Sequence, residues 1–288
     1  MPEQTTVVIP EDLVRGIKRL EPLPVTARHL LEMLNGRNVS LTAVAELIEF
    51  DQAVAAAVLR SAATMRYAGC GTVTIHEAVM RLGTVALLDL VLEGYLRQLR
   101  AATPLYDLSE QDLWLHGAAA QLAVRALVAE RRGLKVPVLA ETAALLHDIG
   151  KLIMSRYLKA DVRDIVKHAR ARGTTFVEAE RDLLGVDHAV VGAAMAEAWQ
   201  FPPEIIDAIR RHHSAPFEQA TTMLDVVVIA NAVAKTIEVG LGAEGLNFTV
   251  DPASYARLGI DFPAFGRICL QTEASLQELL RAQQEVAR

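Results

Sequence analysis

The chain has 288 residues, is 52% hydrophobic but only 5% aromatic, and carries a net charge of −6. That charge excludes a broad electrostatic grip on nucleic acid, and an apolar content made mostly of Ala, Leu and Val points to helices. Two distant cysteines, Cys70 and Cys269, fit a reducing cytoplasm rather than a disulfide framework. Met1–Thr6 lacks a basic-then-apolar leader, and no uncharged apolar run approaches the roughly 18 residues of a membrane span. The positive mean hydropathy is therefore expected to report a large helical core.

Residues 11–100 read as a string of short helices. Leu20-Glu21-Pro22-Leu23-Pro24 predicts an extended lead-in, because proline restricts itself and its predecessor. Asn35-Gly36 marks a turn. Ser40 can cap a helix with Leu41, Val44, Leu47 and Ile48 on one face, and Asp51 the next, with Val54, Val58 and Leu59 inward. Gly69-Cys70-Gly71 breaks the pattern. Thr74-Ile75-His76-Glu77 is a capping-box sequence opening a helix with Val79, Leu82, Leu87, Leu90 and Val91. Thr103-Pro104 begins a connector. Ser109 starts a long helix through Trp114, His116, Leu122, Val124 and Leu127, ended by Arg131-Arg132-Gly133. Helices around 138–148, 160–171, 176–184, 187–199, 203–213 and 222–239 follow. Gly240–Gly245 is a loop, and the tail is amphipathic and helical near 265–284. No strand alternation or internal repeat is visible, so the expectation is all-α.

The informative chemistry lies in Leu145-Leu146-His147-Asp148-Ile149-Gly150-Lys151. Imidazole nitrogens and carboxylate oxygens form a mixed N/O donor set that suits Fe, Mn, Zn or Ni better than Ca or Mg. On a helix His147 and Asp148 point about 100° apart, so they can share an ion near a helix end, which Gly150 is expected to provide. Lys151, one step beyond, either lies on the surface or reaches a phosphate oxygen. His212-His213 ends a helix opened by Pro202-Pro203, His188 heads another, and His116 follows Asp112 by four residues on one face. Five of the eight histidines are thus candidates for one site, assembled from facing helices of a bundle. Set against this, Asp112 fits helix-terminal charge first and ligation second, and Asn231 fits an interior amide. His29, His76 and His168 read as surface residues, and Trp114 and Trp199 as core. Arg131-Arg132 and Arg210-Arg211 read as helix-end cations.

These residues resemble the HD superfamily of metal-dependent phosphohydrolases, whose pattern is a histidine, an adjacent His-Asp and a distal Asp. His116, His147 and Asp148 match the first three positions, and Asn231 stands where the distal carboxylate is expected. Asp225, six residues earlier, would face elsewhere. A second resemblance, over roughly residues 13–235, is to the HDOD family, the HD-related output domain. It is carried by Leu20–Pro24, Leu47–Ala53, Leu59–Ala63 and Ile75–Gly83, and by Asp187-His188, Gly192, Trp199, Pro202 and His212-His213. Gln52 replaces the usual proline after Asp51, and Ala62-Ala63 stands in the family's Asn-Ser region. HDOD proteins in turn resemble HD-GYP cyclic-dinucleotide phosphodiesterases, in which a carboxylate in the place of Asp112 can also bind metal. Here Ser214-Ala215-Pro216 stands where Gly-Tyr-Pro would follow the paired histidines.

The resemblance implies an N-terminal helical subdomain (11–108) packed on an HD-like bundle (109–240), with a helical C-terminal extension (246–288). It implies a metal set of His116, His147, Asp148, His188, His212 and His213, with Asp112 and Asn231 as weaker members, holding one or two divalent ions or none. The function implied is a cytoplasmic bacterial regulator acting through signalling-protein partners, with neither nucleic acid nor membrane as a target. The alternative is a phosphohydrolase of a cyclic dinucleotide or nucleotide. In that case Lys151 would contact the phosphate of a small ligand.

Overall fold

A computed structural model describes residues 9–19, 23–36, 40–64, 74–99, 103–109, 111–213, 220–243 and 252–286. The helices in chain order are α1 (Glu11–Arg19), α2 (Val25–Leu34), α3 (Leu41–Glu49), α4 (Gln52–Thr64), α5 (Ile75–Gln98), α6 (Asp112–Glu130), α7 (Ala140–Leu146), α8 (Gly150–Tyr157), α9 (Val162–Arg172), α10 (Phe176–Leu184), α11 (His188–Ala198), α12 (Pro203–Arg211), α13 (Thr222–Thr236), α14 (Pro252–Leu258) and α15 (Phe262–Val286). A 3-10 turn spans Pro104–Tyr106. Among the described residues the sole bridge is Thr103 with Leu108, so the all-α expectation holds. By compactness α1 and α6 to α15 form one unit, and α2 to α5 with Trp199–Pro202 form the other.

In the smaller unit the capping signals act as the sequence predicts. Ser40 Oγ accepts from Ala43 N–H at 3.2 Å and Asp51 Oδ1 from Val54 N–H at 3.1 Å. Thr74 and Glu77 complete a reciprocal capping box. Val44, Ile48, Val58, Val79, Leu87 and Val91 are buried. One expectation is modified: α5 is interrupted at Gly83, whose φ of 74° only glycine adopts without strain. Trp199 is half-buried, stacked edge-on to Tyr95 at 6.0 Å.

In the larger unit α6 and α13 are buried almost all round, as befits central helices. Two polar ties hold the C-terminal helices. The buried Asp225 carboxylate of α13 accepts from Ser254 Oγ and, in a two-pronged pair, from Arg257 of α14. Arg267 of α15 does the same to Glu130 of α6. Ile268, Thr272 and Leu276 face inward along α15, within the stretch expected to be amphipathic.

The helix α8 is absent from the sequence reading. Gly150 is not where the chain leaves helical geometry; it opens a new helix. Between α7 and α8 the chain tightens through i to i+3 bonds (Ile149 N–H to Leu146 O, Lys151 N–H to Asp148 O), a 3-10-like step that carries His147 and Asp148. Glycine is required at 150 for packing. A Cβ there would lie 2.0 Å from the His188 carbonyl oxygen and 2.6 Å from Gly192 N, so α8 and α11 touch backbone to backbone.

Among the described residues no helix is long and apolar enough to cross a membrane. Cys269 is buried. Leu20–Pro22, Gly69–Gly71, Ser214–Pro216 and Glu244-Gly245 lie outside the described residues.

Candidate metal centre

Four places in the fold bring the side chains together. His147 and Asp148 come from the α7–α8 step, His116 from α6, His188 from the head of α11, and His212-His213 from the turn ending α12. Helix C-termini leave carbonyls without intrahelical partners, and two of them are used here in the same way. His147 Nδ1–H donates to Ala144 O and His212 Nδ1–H to Ile209 O, each at 2.7 Å and three residues back. His116 Nδ1–H donates to Val239 O at 2.7 Å. That contact depends on Gly240, where φ is 59° and a Cβ would collide with Asp112 O at 2.4 Å. His188 differs: its Nδ1–H donates at 2.8 Å to a carboxylate, Glu180 Oε2.

Each of these four imidazoles therefore spends its Nδ1 proton on a fixed acceptor and turns an unprotonated Nε2 inward. Those four lone pairs meet Asp148. His116 and His147 Nε2 stand 3.5 and 3.4 Å from Asp148 Oδ2. His188 and His212 Nε2 stand 3.2 and 3.4 Å from Oδ1. His213 stacks beside them, 4.1 Å from His212 and 5.0 Å from His188 between ring centroids. Two groups result, His116/His147/Asp148 and Asp148/His188/His212/His213. Within each the ligand atoms lie inside 4.8 Å of one another. Asp148 belongs to both, one oxygen to each.

Acceptors facing acceptors in a buried space need a cation between them. Protons are a poor answer. Burial pushes His147 and His213 well below the ordinary 6.5, and His116 below it, against the opposing pull of Asp148. Burial also pushes the Asp148 carboxyl up, but the Lys151 ammonium beside it works against this, and the carboxyl is held well below the usual carboxylate range. His147 Nε2, His212 Nε2 and Asp148 Oδ1 are left buried without a hydrogen bond. The Nε2–carboxylate separations, 3.2 to 3.5 Å, would suit neighbouring ligands of one ion. The His/Asp groups could thus hold a metal.

The remaining predicted residues fall as follows. Asn231 lies beside the first group, its side-chain oxygen 3.2 Å from His116 Nε2. Asp112 lies outside both groups; it accepts from Ser109 N–H at 2.7 Å, the first-turn role that its position favours. Lys151 is not on the surface: it is 2% exposed, with its ammonium 2.7 Å from Asp148 Oδ2. That step is helical, so the ammonium turns back three residues rather than pointing onward.

Four participants escape the sequence reading. Glu180, fully buried, bridges His188 and the Tyr106 hydroxyl. Tyr106 also lays its ring under the Lys151 ammonium, at 5.5 Å. The Val239 carbonyl orients His116, and Lys235, 4% exposed, repels protons from both His116 and His213. Glu180 had a readable signal: it shares the apolar face of α10 with Phe176, Val177 and Ala179. A carboxylate on such a face needs a buried partner.

An all-helical module with a buried His/Asp centre is the class that fold and site define. The chain belongs to the HDOD domain family, whose model matches residues 20–215. Its fold is similar to that of an HDOD domain protein of unknown function from Geobacter sulfurreducens, at 26% identity and a TM-score of 0.61, over 96% of this chain and 94% of that one. It is also similar to a proposed signal transduction protein from Marinobacter aquaeolei, at 21% identity and a TM-score of 0.69, over 96% of this chain and 65% of that one. A proposed phosphohydrolase from Shewanella amazonensis matches at 24% identity and a TM-score of 0.59, over 91% and 98%. The chain spans 44% of the length of an uncharacterised curated relative from Treponema pallidum, to which it is 24% identical over 244 residues.

Proposed function

We propose that the protein is a regulatory output module, acting through protein–protein contacts, whose HD-like bundle is held or tuned by a buried divalent transition metal. The observation that carries this is closure. His116, His147, Asp148, His188 and His212 are all at most 3% exposed. Closed sites built from protein ligands are the structural kind, whereas catalytic sites keep an open position. Lys151 is turned inward on Asp148, and a neutral amide, Asn231, occupies the fourth HD position, so one negative charge that two ions would need is missing. Imidazole-rich donors with one carboxylate favour Zn, Fe, Mn or Ni. Exposed apolar side chains offer contact surface: Phe50 (89%) and Met80 in the smaller unit, Phe262 (88%) and Leu270 on α15. The resemblance to signalling output domains supports a bacterial, cytoplasmic setting.

The second reading is a phosphohydrolase. One observation favours it: two ligand groups share a bridging carboxylate, the arrangement that two-ion chemistry requires. Ions bound there would polarise a phosphate and acidify a water. The test is to reconstitute the purified protein with Mn, Fe, Zn or Ni and assay cyclic-dinucleotide and nucleotide phosphodiester hydrolysis. Bound metal without turnover is expected. Turnover abolished by Asp148→Ala would overturn the regulatory reading.

A further inference from the structure

The two ligand groups are not equivalent, and three independent features separate them on opposite sides of Asp148. On the Oδ1 side, His188 is backed by the Glu180 carboxylate, which also accepts from the His188 backbone N–H at 3.4 Å and is itself held by the Tyr106 hydroxyl. A carboxylate on Nδ1–H fixes the tautomer and raises the basicity of Nε2 more than a neutral carbonyl does. On the Oδ2 side, both His116 and His147 are backed only by backbone carbonyls. Oδ2 is also the oxygen that Lys151 engages, so a fixed ammonium competes with any ion there. The neighbour that could offset this charge, Asn231, is neutral. The count of His and Asp donors points the same way, with three histidines in the group that holds Oδ1 and two in the group that holds Oδ2.

We infer that the Asp148/His188/His212/His213 group is the primary metal site, that it fills before the His116/His147/Asp148 group, and that the buried Glu180–Tyr106 pair is the positioning element that makes it so. This rests on the metal-centre reading above. Glu180 acts through His188 and touches no ion. Loading of the second group is expected to be weak or absent at the same metal concentration, which would leave the site mononuclear.

The experiment is a Zn2+ titration of metal-free full-length protein by calorimetry, paired with Co2+ titration read by its visible ligand-field bands. Glu180→Gln is nearly isosteric and is expected to weaken the first binding step by about 10- to 100-fold, the usual cost of losing such a backing group, and to shift the Co2+ bands. Tyr106→Phe should weaken the same step less and guards against a folding defect in Glu180→Gln. His188→Ala should abolish the first step, and His116→Ala should leave it within a few-fold. Circular dichroism and thermal melting check that each variant is folded. A first step that survives His188→Ala but is lost in His116→Ala would overturn the assignment. So would a Glu180→Gln variant that is folded, binds like wild type and keeps its Co2+ spectrum. Wild-type protein that binds neither ion would sink the metal-centre reading itself, a separate failure.

Discussion

Gly150→Ala tests whether backbone contact between α8 and α11 sets the geometry of the centre. The added Cβ would sit 2.0 Å from His188 O, 2.6 Å from Gly192 N and 2.9 Å from His188 C, all of them backbone atoms that cannot rotate away. Restoring about 3.4 Å, an ordinary van der Waals separation, to the carbonyl oxygen demands about 1.4 Å of helix movement. Overpacking of this kind costs about 1–3 kcal/mol when side chains can adjust; with backbone on both sides the upper end is expected. For a chain this long that lowers the melting temperature by roughly 5–10 °C. The displaced atoms belong to His188 and flank Asp148, while metal distances tolerate only about 0.2 Å, so Zn2+ affinity should fall along with stability. The assay is thermal melting and Zn2+ titration of Gly150→Ala beside two controls. Gly192→Ala, with its nearest contacts at 3.1 Å, should cost less. Gly94→Ala, exposed in α5 with nothing within 4 Å, should stabilise by up to about 1 kcal/mol. A Gly150→Ala protein that melts with wild type and binds Zn2+ as tightly would refute the argument.

Acidification should destabilise the metal-free protein. His116, His147 and His213 are held below 6.5 by burial, so below that pH the unfolded chain binds more protons than the native one. Each imidazole then removes about 1.4 kcal/mol per pH unit until its own folded value is reached. Asp148, depressed in the fold, keeps its contribution above the unfolded carboxylate range and loses it only as pH falls through its lowered folded value. The urea midpoint should be flat from pH 8.5 to 7.5 and fall by pH 5.5; a rise on acidification would contradict the assigned burial. Arg257→Ala strips the buried Asp225 of its two-pronged partner and should cost about 2–4 kcal/mol. Arg257→Lys should restore only part of it, because an ammonium cannot span both oxygens; equal melting of all three proteins would count against the tie between α13 and α14. Asn231→Asp should tighten the second metal-binding step while destabilising the metal-free protein by about 1–3 kcal/mol, since a second buried carboxylate then lacks a cation. Effects of the same sign in both measurements would refute that account.

The local elements were legible where a side chain closes its own helix end: Ser40, Asp51 and Thr74 act within three residues of themselves, so spacing alone reveals them. The convergence of these side chains was legible because His-Asp and His-His are adjacent pairs at helix ends, and a bundle brings such ends together. What could not be read was anything that depends on contact between distant helices. Gly150 looks like a terminator in one dimension, yet its function is to let α8 meet α11. Lys151 looks like a surface cation until the 3-10-like step turns it back on Asp148. Val239 contributes only a backbone carbonyl and leaves no compositional trace. Glu180 is readable as a buried carboxylate on the apolar face of α10, but its partner is not: it stands eight residues before His188, and only the turn between α10 and α11 folds it under the imidazole.

The cation requirement follows from the same long-range arrangement. Four Nε2 lone pairs and both Asp148 oxygens converge, with Lys151 serving one oxygen. An unsatisfied buried acceptor costs about 1–3 kcal/mol, and a whole domain is stable by only about 5–15 kcal/mol. Three atoms there, His147 Nε2, His212 Nε2 and Asp148 Oδ1, have no hydrogen bond; leaving them so would consume much of that margin, and protonating the imidazoles means burying positive charges beside one carboxylate. A divalent ion would remove the conflict on the Oδ1 side with a single species and would add the folding linkage common to buried metal sites. On the proposed reading the His-Asp pair is first part of a stability device. Catalysis would require that device to open, and the burial of every ligand but His213 sets the cost of opening it.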